Sequence, residues 1–283
     1  MIIFNESDHS YIHVETGNKL HGWTSLIKKF TKPFDEKSQL VCSAYKLLIG
    51  QDEYNKVVKS GFGRLFDLNT EEVADFLKSK VDMDISATID EIKYEWDYSR
   101  ILGSNFHKKL EDLAYERGYE ISPFTENKYK TIYVEKQHSN QSICENLFDL
   151  EDGYYPELLV WDNSIGQEKS PVTQIDCCFI ETDEDGTRYV DVNDIKTNSK
   201  RPTPYNKNRM SAPLQEYYDD TINKYKLQVM FGAKLLSTFG FTPRYVAFTH
   251  YTGYDESSAY IFPAKYDKDV MDRLQEEWIK MSN

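Results

Sequence analysis

The segment from Tyr154 to Thr197 limits the fold more than any other part of the chain. It holds three runs, "YYPELLVWD", "VTQIDCCFIET" and "TRYVDVNDIKT", separated by turn residues. "ETDEDGTR" between the second and third is a hairpin turn, so the runs predict a strand meander. A loop, "NSKRPTPYNKNRMSAP", follows, and then "INKYKLQVMFGAKLLSTFG", a helix ending at Gly240. "PRYVAFTHYTG" and "SAYIFPAK" predict two more strands. "KDVMDRLQEEWIKM" predicts a closing amphipathic helix with Val270, Leu274, Trp278 and Met281 on its inner face. Ahead of the meander, residues 98–118 predict a helix with Phe106, Leu110 and Leu113 on one stripe and Gly118 as its stop. The order helix, meander, helix, strands predicts an α/β core over residues 98–283.

Residues 1–97 read as a hairpin and helical subdomain packed on that core. The opening residues predict a short β-hairpin with Gly17 in its turn, followed by a helix over "WTSLIKKF" capped by Thr24 or Ser25. Residues 35–95 are polar and helical in pattern. In "LNTEEVADFLKSKV", Asn69–Thr70 is a cap signal, and Val73, Phe76, Leu77 and Val81 recur at helical spacing.

Composition narrows the function. The chain has 283 residues, 40% of them hydrophobic, and a net charge of −13. That balance argues against a protein that coats nucleic acid non-specifically, but leaves room for acidic metal ligands and local strand contacts. The four cysteines, Cys42, Cys144, Cys177 and Cys178, form no C-x-x-C pair, so neither a zinc ribbon nor an iron–sulfur cluster is expected. No secretory leader and no apolar run of membrane-spanning length stand out, which predicts a cytoplasmic protein without a membrane partner. No Gly-x-Ser-x-Gly, P-loop or dinucleotide fingerprint is present.

The chemistry gathers at strand ends. Asp194 and Lys196 are two apart and share one face of a strand. Asp176 sits in the preceding, otherwise apolar strand, 18 residues earlier, where a hairpin can bring the two carboxylates together. Two close carboxylates repel unless a cation joins them, and hard oxygen ligands favour Mg²⁺ or Mn²⁺. Lys196 can then hold and polarise a metal-bound water, or stabilise charge on a reacting phosphate. The plainer alternative is a cross-strand ion pair at a sheet edge. Gly103, His107 and Glu111 share a helix face at intervals of four. Tyr225 and Gln228 share another, and a Gln inside the apolar run "LQVMFGAKLL" makes sense facing a polar site.

This series resembles the PD-(D/E)XK nuclease superfamily over residues 103–236: Gly-x-x-x-His, Glu, Ile-Asp, Asp-x-Lys-Thr, then Tyr-x-x-Gln. The similarity is to its RecB-type branch, which includes the mitochondrial genome maintenance exonuclease and phage exonucleases. It implies a restriction-endonuclease-like α/β core, a central mixed sheet flanked by helices, carrying an N-terminal, mainly helical addition. By resemblance, His107, Asp176 and Asp194 hold the metal and Lys196 is the catalytic lysine. Glu157 lies near the metal or its waters, and Gln228 and Tyr225 support the site and the DNA backbone. Ser104 stands where the family usually has Thr and is counted with the DNA contacts. Gln174 and Asn193 depart from the small and apolar residues usual beside the two aspartates.

The stretch after Lys196 is free of acids up to Gln215 and holds Lys200, Arg201, Lys207 and Arg209, with Tyr205 available to stack on a base. It reads as a phosphate-contacting loop, or else as a solvated linker. The expected activity is Mg²⁺- or Mn²⁺-dependent hydrolysis of DNA, with single-stranded ends as the preferred substrate. The resemblance to phage members implies a phage-encoded protein in a bacterial host. The alternatives are an endonuclease of the same fold, a non-cleaving DNA- or protein-binding module, and a structural protein in which Asp-x-Lys is only an ion pair.

Overall fold

The computed structural model describes residues 1–5, 10–65, 68–134, 136–138, 141–143, 146–204 and 208–282. At its centre is a five-stranded mixed sheet. The expected meander supplies β8 (Gly153–Trp161), β9 (Val172–Thr182) and β10 (Arg188–Asn198). β11 (Thr242–Thr252) joins β10 in parallel, and β12 (Tyr260–Pro263) closes the edge, in the order β12-β11-β10-β9-β8. A parallel neighbour needs a crossover, and helix α6 (Thr221–Ser237) provides it. It lies on one face with α7 (Lys268–Ser282) packed against it, while α5 (Ser86–Arg117) covers the other. Gly232 lets α6 approach β9 closely, since a Cβ there would lie 3.1 Å from Ile175.

The antiparallel β4 (Tyr119–Ile121) and β5 (Lys128–Lys130) form a small hairpin. The N-terminal strands β1 (Ile2–Asn5), β2 (Ser10–His13) and β3 (Lys19–Leu20) extend the expected hairpin to three strands. Gly17 turns between β2 and β3 with φ +68°. β1 also pairs with β7 (Gln141–Ile143), itself paired with β6 (Lys136–His138), in a second five-stranded sheet. α1 (Trp23–Phe30) then drops into the main core, where Trp23 stacks on Phe231 of α6 at 3.6 Å. Its N-cap is Gly22, without a side-chain cap, so Thr24 and Ser25 do not cap it as expected but sit inside the first turn.

Helices α2 (Glu36–Ile49), α3 (Gln51–Phe62) and α4 (Thr70–Lys80) build the helical addition. Asn69 caps α4 by accepting from the Glu71 amide, and Val73 and Leu77 are buried. The helix expected over 98–118 starts twelve residues earlier, at Ser86, and is 32 residues long. It therefore runs unbroken through residue 97. Ile89, Ile92 and Trp96 on its first half pack with Leu40 and Ala44 of α2. Gly103 and His107 continue the same 3–4 spacing toward the sheet. Gly118 ends it at φ +69° and donates to the Ala114 and Tyr115 carbonyls.

On α7, Val270, Leu274 and Trp278 are buried as expected, but Met281 is not. It is 41% exposed, because the helix runs past the edge of the core, while Met271 fills the inner face. Toward the start of β10, Arg244 of β11 pairs with the fully buried Asp191 through Nε and Nη2, at 2.9 and 2.7 Å, and with Glu181 at 2.7 Å. Cys42, Cys177 and Cys178 are free thiols, and Cys144 lies outside the described residues. Among the described residues no helix is long and apolar enough to cross a membrane.

Candidate metal centre

The β9–β10 ladder ends at the rung Asn193↔Cys177, while β10 goes on pairing with β11 as far as Asn198↔Thr252. The sheet therefore forks immediately before Asp176 and Asp194. The Ile195 amide, which has no ladder partner on that side, donates instead to the Asp176 carboxylate at 2.5 Å.

A second irregularity aims the ligands. In β8, Tyr155 and Leu158 both enter the main core although they are three positions apart; in β9, Cys178 and Ile175 do the same. Strict alternation would send the members of each pair to opposite faces. The break falls on one rung, that of Glu157 and Asp176, between the paired rungs Pro156↔Cys177 and Leu158↔Ile175. Glu157 carries it in its backbone, with φ +54°, a conformation costly for a side-chain-bearing residue. Gln174 steadies the kink, its Nε2 donating to the Glu157 carbonyl at 3.2 Å.

Facing this rung from α5 is His107. Its Nδ1 lies 3.6 Å from Glu157 Oε1 and 3.6 Å from Asp176 Oδ2. One ligating atom from each of the three residues falls within 4.8 Å of the other two. Their side chains are only 27, 16 and 11% exposed, too sheltered for water to screen the charges fully. Burial alone would lower the His107 pKa, but Asp176 and Glu157 outweigh it and raise it to about 9. Burial and the neighbouring Glu157 raise Asp176 in turn, against the pull of His107 and Lys196. Without a metal, the imidazolium is the counter-charge for the carboxylates. The donors are carboxylate oxygen and imidazole nitrogen, a set that fits Mg²⁺ or Mn²⁺.

Asp194, expected among the metal ligands, stands beside this trio rather than in it. Its Oδ2 lies 2.5 Å from Lys196 Nζ, and its Oδ1 accepts from Gln228 Nε2 at 3.2 Å. Burial raises Asp194 to about 6, with Asp176 adding to the shift and Lys196 opposing it. Burial would lower Lys196, but Asp194 and Asp176 outweigh it and raise its pKa. The lysine is therefore an ammonium at neutral pH. Its Nζ sits 5.0 Å from the centre of the Tyr225 ring, so Tyr225 and Gln228 both face the site from α6. Gly103 lies where α5 crosses β10, and a Cβ there would come within 3.1 Å of Thr197 Oγ1. Asn193 is buried and accepts from Thr249 Oγ1 at 2.9 Å, which accounts for a polar residue before Asp194.

The proposed DNA contacts divide. Ser104 and Lys200 are exposed. Arg201 lies over the Tyr260 ring at 2.9 Å, and Arg209 over Tyr218 at 3.8 Å, donating also to the Glu216 carbonyl. Tyr205 and Lys207 lie outside the described residues. Sequence reasoning missed Tyr11 of β2: burial raises its phenol, and Glu157 and Asp176 add to the rise, placing it in the field of the cluster. Its alternation within a short hairpin strand carried no signal of that role. His9 lies outside the described residues, and His13 is buried against Thr16. Among known proteins nothing matches this chain: no family model, no curated protein and no solved structure.

Proposed function

We propose that the protein is a Mg²⁺- or Mn²⁺-dependent deoxyribonuclease with a PD-(D/E)XK core, acting on single-stranded ends. One observation carries the reading. Two carboxylates and an imidazole converge at the fork in the sheet, and the strand leaving that fork brings an ammonium beside them. His107, Glu157 and Asp176 would hold the ion, with Asp194 next to them. A bound divalent ion supplies Lewis-acid polarisation of a phosphate and lowers the pKa of water.

The chain's own residues do the rest. Lys196, already protonated, is a charge donor rather than a base. It stabilises the negative charge that builds on the non-bridging oxygens as water attacks phosphorus in line with the leaving oxygen. Asp194 fixes the ammonium, Gln228 fixes Asp194, and the Tyr225 ring closes the third side. The Ile195 amide holds Asp176 in place.

The test uses end-labelled linear and closed circular single strands with Mg²⁺, and again with chelator. Linear strands should be degraded and circles spared. Cut circles would make the protein an endonuclease, binding without cutting would make it a non-cleaving module, and full cleavage in chelator would refute the metal chemistry.

A further inference from the structure

On the nuclease reading above, we propose that the nucleic-acid strand reaches the metal cluster through a basic groove lined by Lys19, Lys29 and Lys169, on the β8–β9 side of the fork. Two cavities, of about 430 and about 420 Å³, adjoin along Lys19, Leu20, His21 and Ser25. The first ends at Gln174 and Gln228, the residues bonded to the Glu157 carbonyl and to Asp194. The second continues along α1 to Lys169 and to Trp278 and Met281 of α7. Each is large enough for a nucleotide-sized group.

The charge of this groove sets it apart in a chain of net charge −13. Lys19, Lys29 and Lys169 are all exposed. Many other lysines pair with a carboxylate, such as Lys56 with Glu53, Lys109 with Glu256 and Lys224 with Asp219. None of the three groove lysines has such a partner among the described residues. The Lys29 ammonium instead meets the Met281 sulfur at 3.2 Å, a weak acceptor. Among the described residues Glu168 is the one acid in the two walls. The wall of the first cavity also holds the N-terminal turn of α1, which has no side-chain cap and adds its partial positive charge. Three free ammonium groups leading to a carboxylate cluster suit a phosphodiester backbone. By contrast, Arg201 and Arg209 of the basic loop are stacked on Tyr260 and Tyr218, and Arg201 lies at the β12 side of the sheet.

The experiment measures binding of labelled oligo(dT) at several salt concentrations, with Ca²⁺ replacing Mg²⁺. Wild type is compared with the triple variant Lys19→Gln, Lys29→Gln, Lys169→Gln and with a loop variant, Lys200→Gln, Arg201→Gln, Arg209→Gln. Three lost contacts should flatten the slope of log K against log salt by about 2 and weaken binding about 10²-fold at 0.1 M salt. The melting temperature should stay at the wild-type value, because the three side chains are exposed. Single Lys→Gln variants should each flatten the slope by about 0.7. A groove variant that keeps the wild-type slope and affinity overturns the proposal, as does a loop variant that carries the whole loss. Failure of the nuclease reading looks different: the wild type itself would neither bind nor cut the strand.

Discussion

The charge balance at the cluster can be tested without substrate. In chelator, His107 titrates from about 6.5 when unfolded to about 9 when folded. The folded value is the higher, so the stability contributed by the imidazolium is complete below about pH 6.5 and is lost as pH rises through 9. The rise from about 6.5 to about 9 corresponds to about 3 kcal/mol, and the side chain is sheltered enough for the charge to act with little screening. Asp194, raised to about 6, has the same sign but loses its contribution between about pH 4 and 6. The difference between wild type and a His107 variant from pH 6.5 to 9.5 therefore reads His107 rather than Asp194. Urea unfolding of wild type and His107→Gln should show a gap in midpoint of about 1 M at pH 6.5, taking a slope of about 3 kcal/mol/M, closing to nearly nothing by pH 9.5. Mg²⁺ should hold the wild-type midpoint up above pH 8 and help less below pH 7, where protons compete for the imidazole. Midpoints of the two proteins that run parallel across this range would refute the assignment of His107 as counter-charge.

Other substitutions separate the roles. Glu157→Gln and Asp176→Asn should abolish metal binding by calorimetric titration. Lys196→Ala should keep the metal while slowing cleavage about 10²–10³-fold, and loss of the metal as well would show that the ammonium does not act on the phosphate alone. Gly103→Ala should cost little, since the Thr197 hydroxyl can swing aside, whereas Gly103→Leu should push β10 at Lys196 and lower the turnover rate without a matching fall in melting temperature. Arg244→Met strands the buried Asp191 and should destabilise by about 3–5 kcal/mol in denaturant, with the turnover rate of the folded protein unchanged.

The strands of the meander and the helices on either side of it were legible because their patterns are local. Apolar runs and a hairpin turn define β9 and β10, and the apolar run with one Gln defines α6. The Asp194–Lys196 pair followed from the two-residue repeat alone. What could not be read was the kink. Strict alternation says nothing of a residue at φ +54°, so Glu157 could be placed near the metal but not on a turned rung with Asp176. The same limit hid Tyr11, whose position depends on how the N-terminal strands dock, a matter of packing between segments far apart in the chain. Residues 86–95 read as helical in pattern, but not as one helix with 98–118; that continuity depends on α2, which packs on Ile89, Ile92 and Trp96 and holds the first half of α5 in line.

The continuity of α5 makes phase a functional variable. An α-helix advances 100° and about 1.5 Å per residue, so the angular position of His107 about the helix axis is set by the number of residues between it and Trp96. Inserting a single residue between Trp96 and Gly103 would swing the stripe that carries α2 by about 100° relative to the cluster, with every contact inside each part left intact. Inserting four would restore the face to within about 40° and move the helical addition about 6 Å further along the axis. Changes of length in this helix should therefore be tolerated in steps of three or four, while the links between α2, α3 and α4 carry no such periodic constraint.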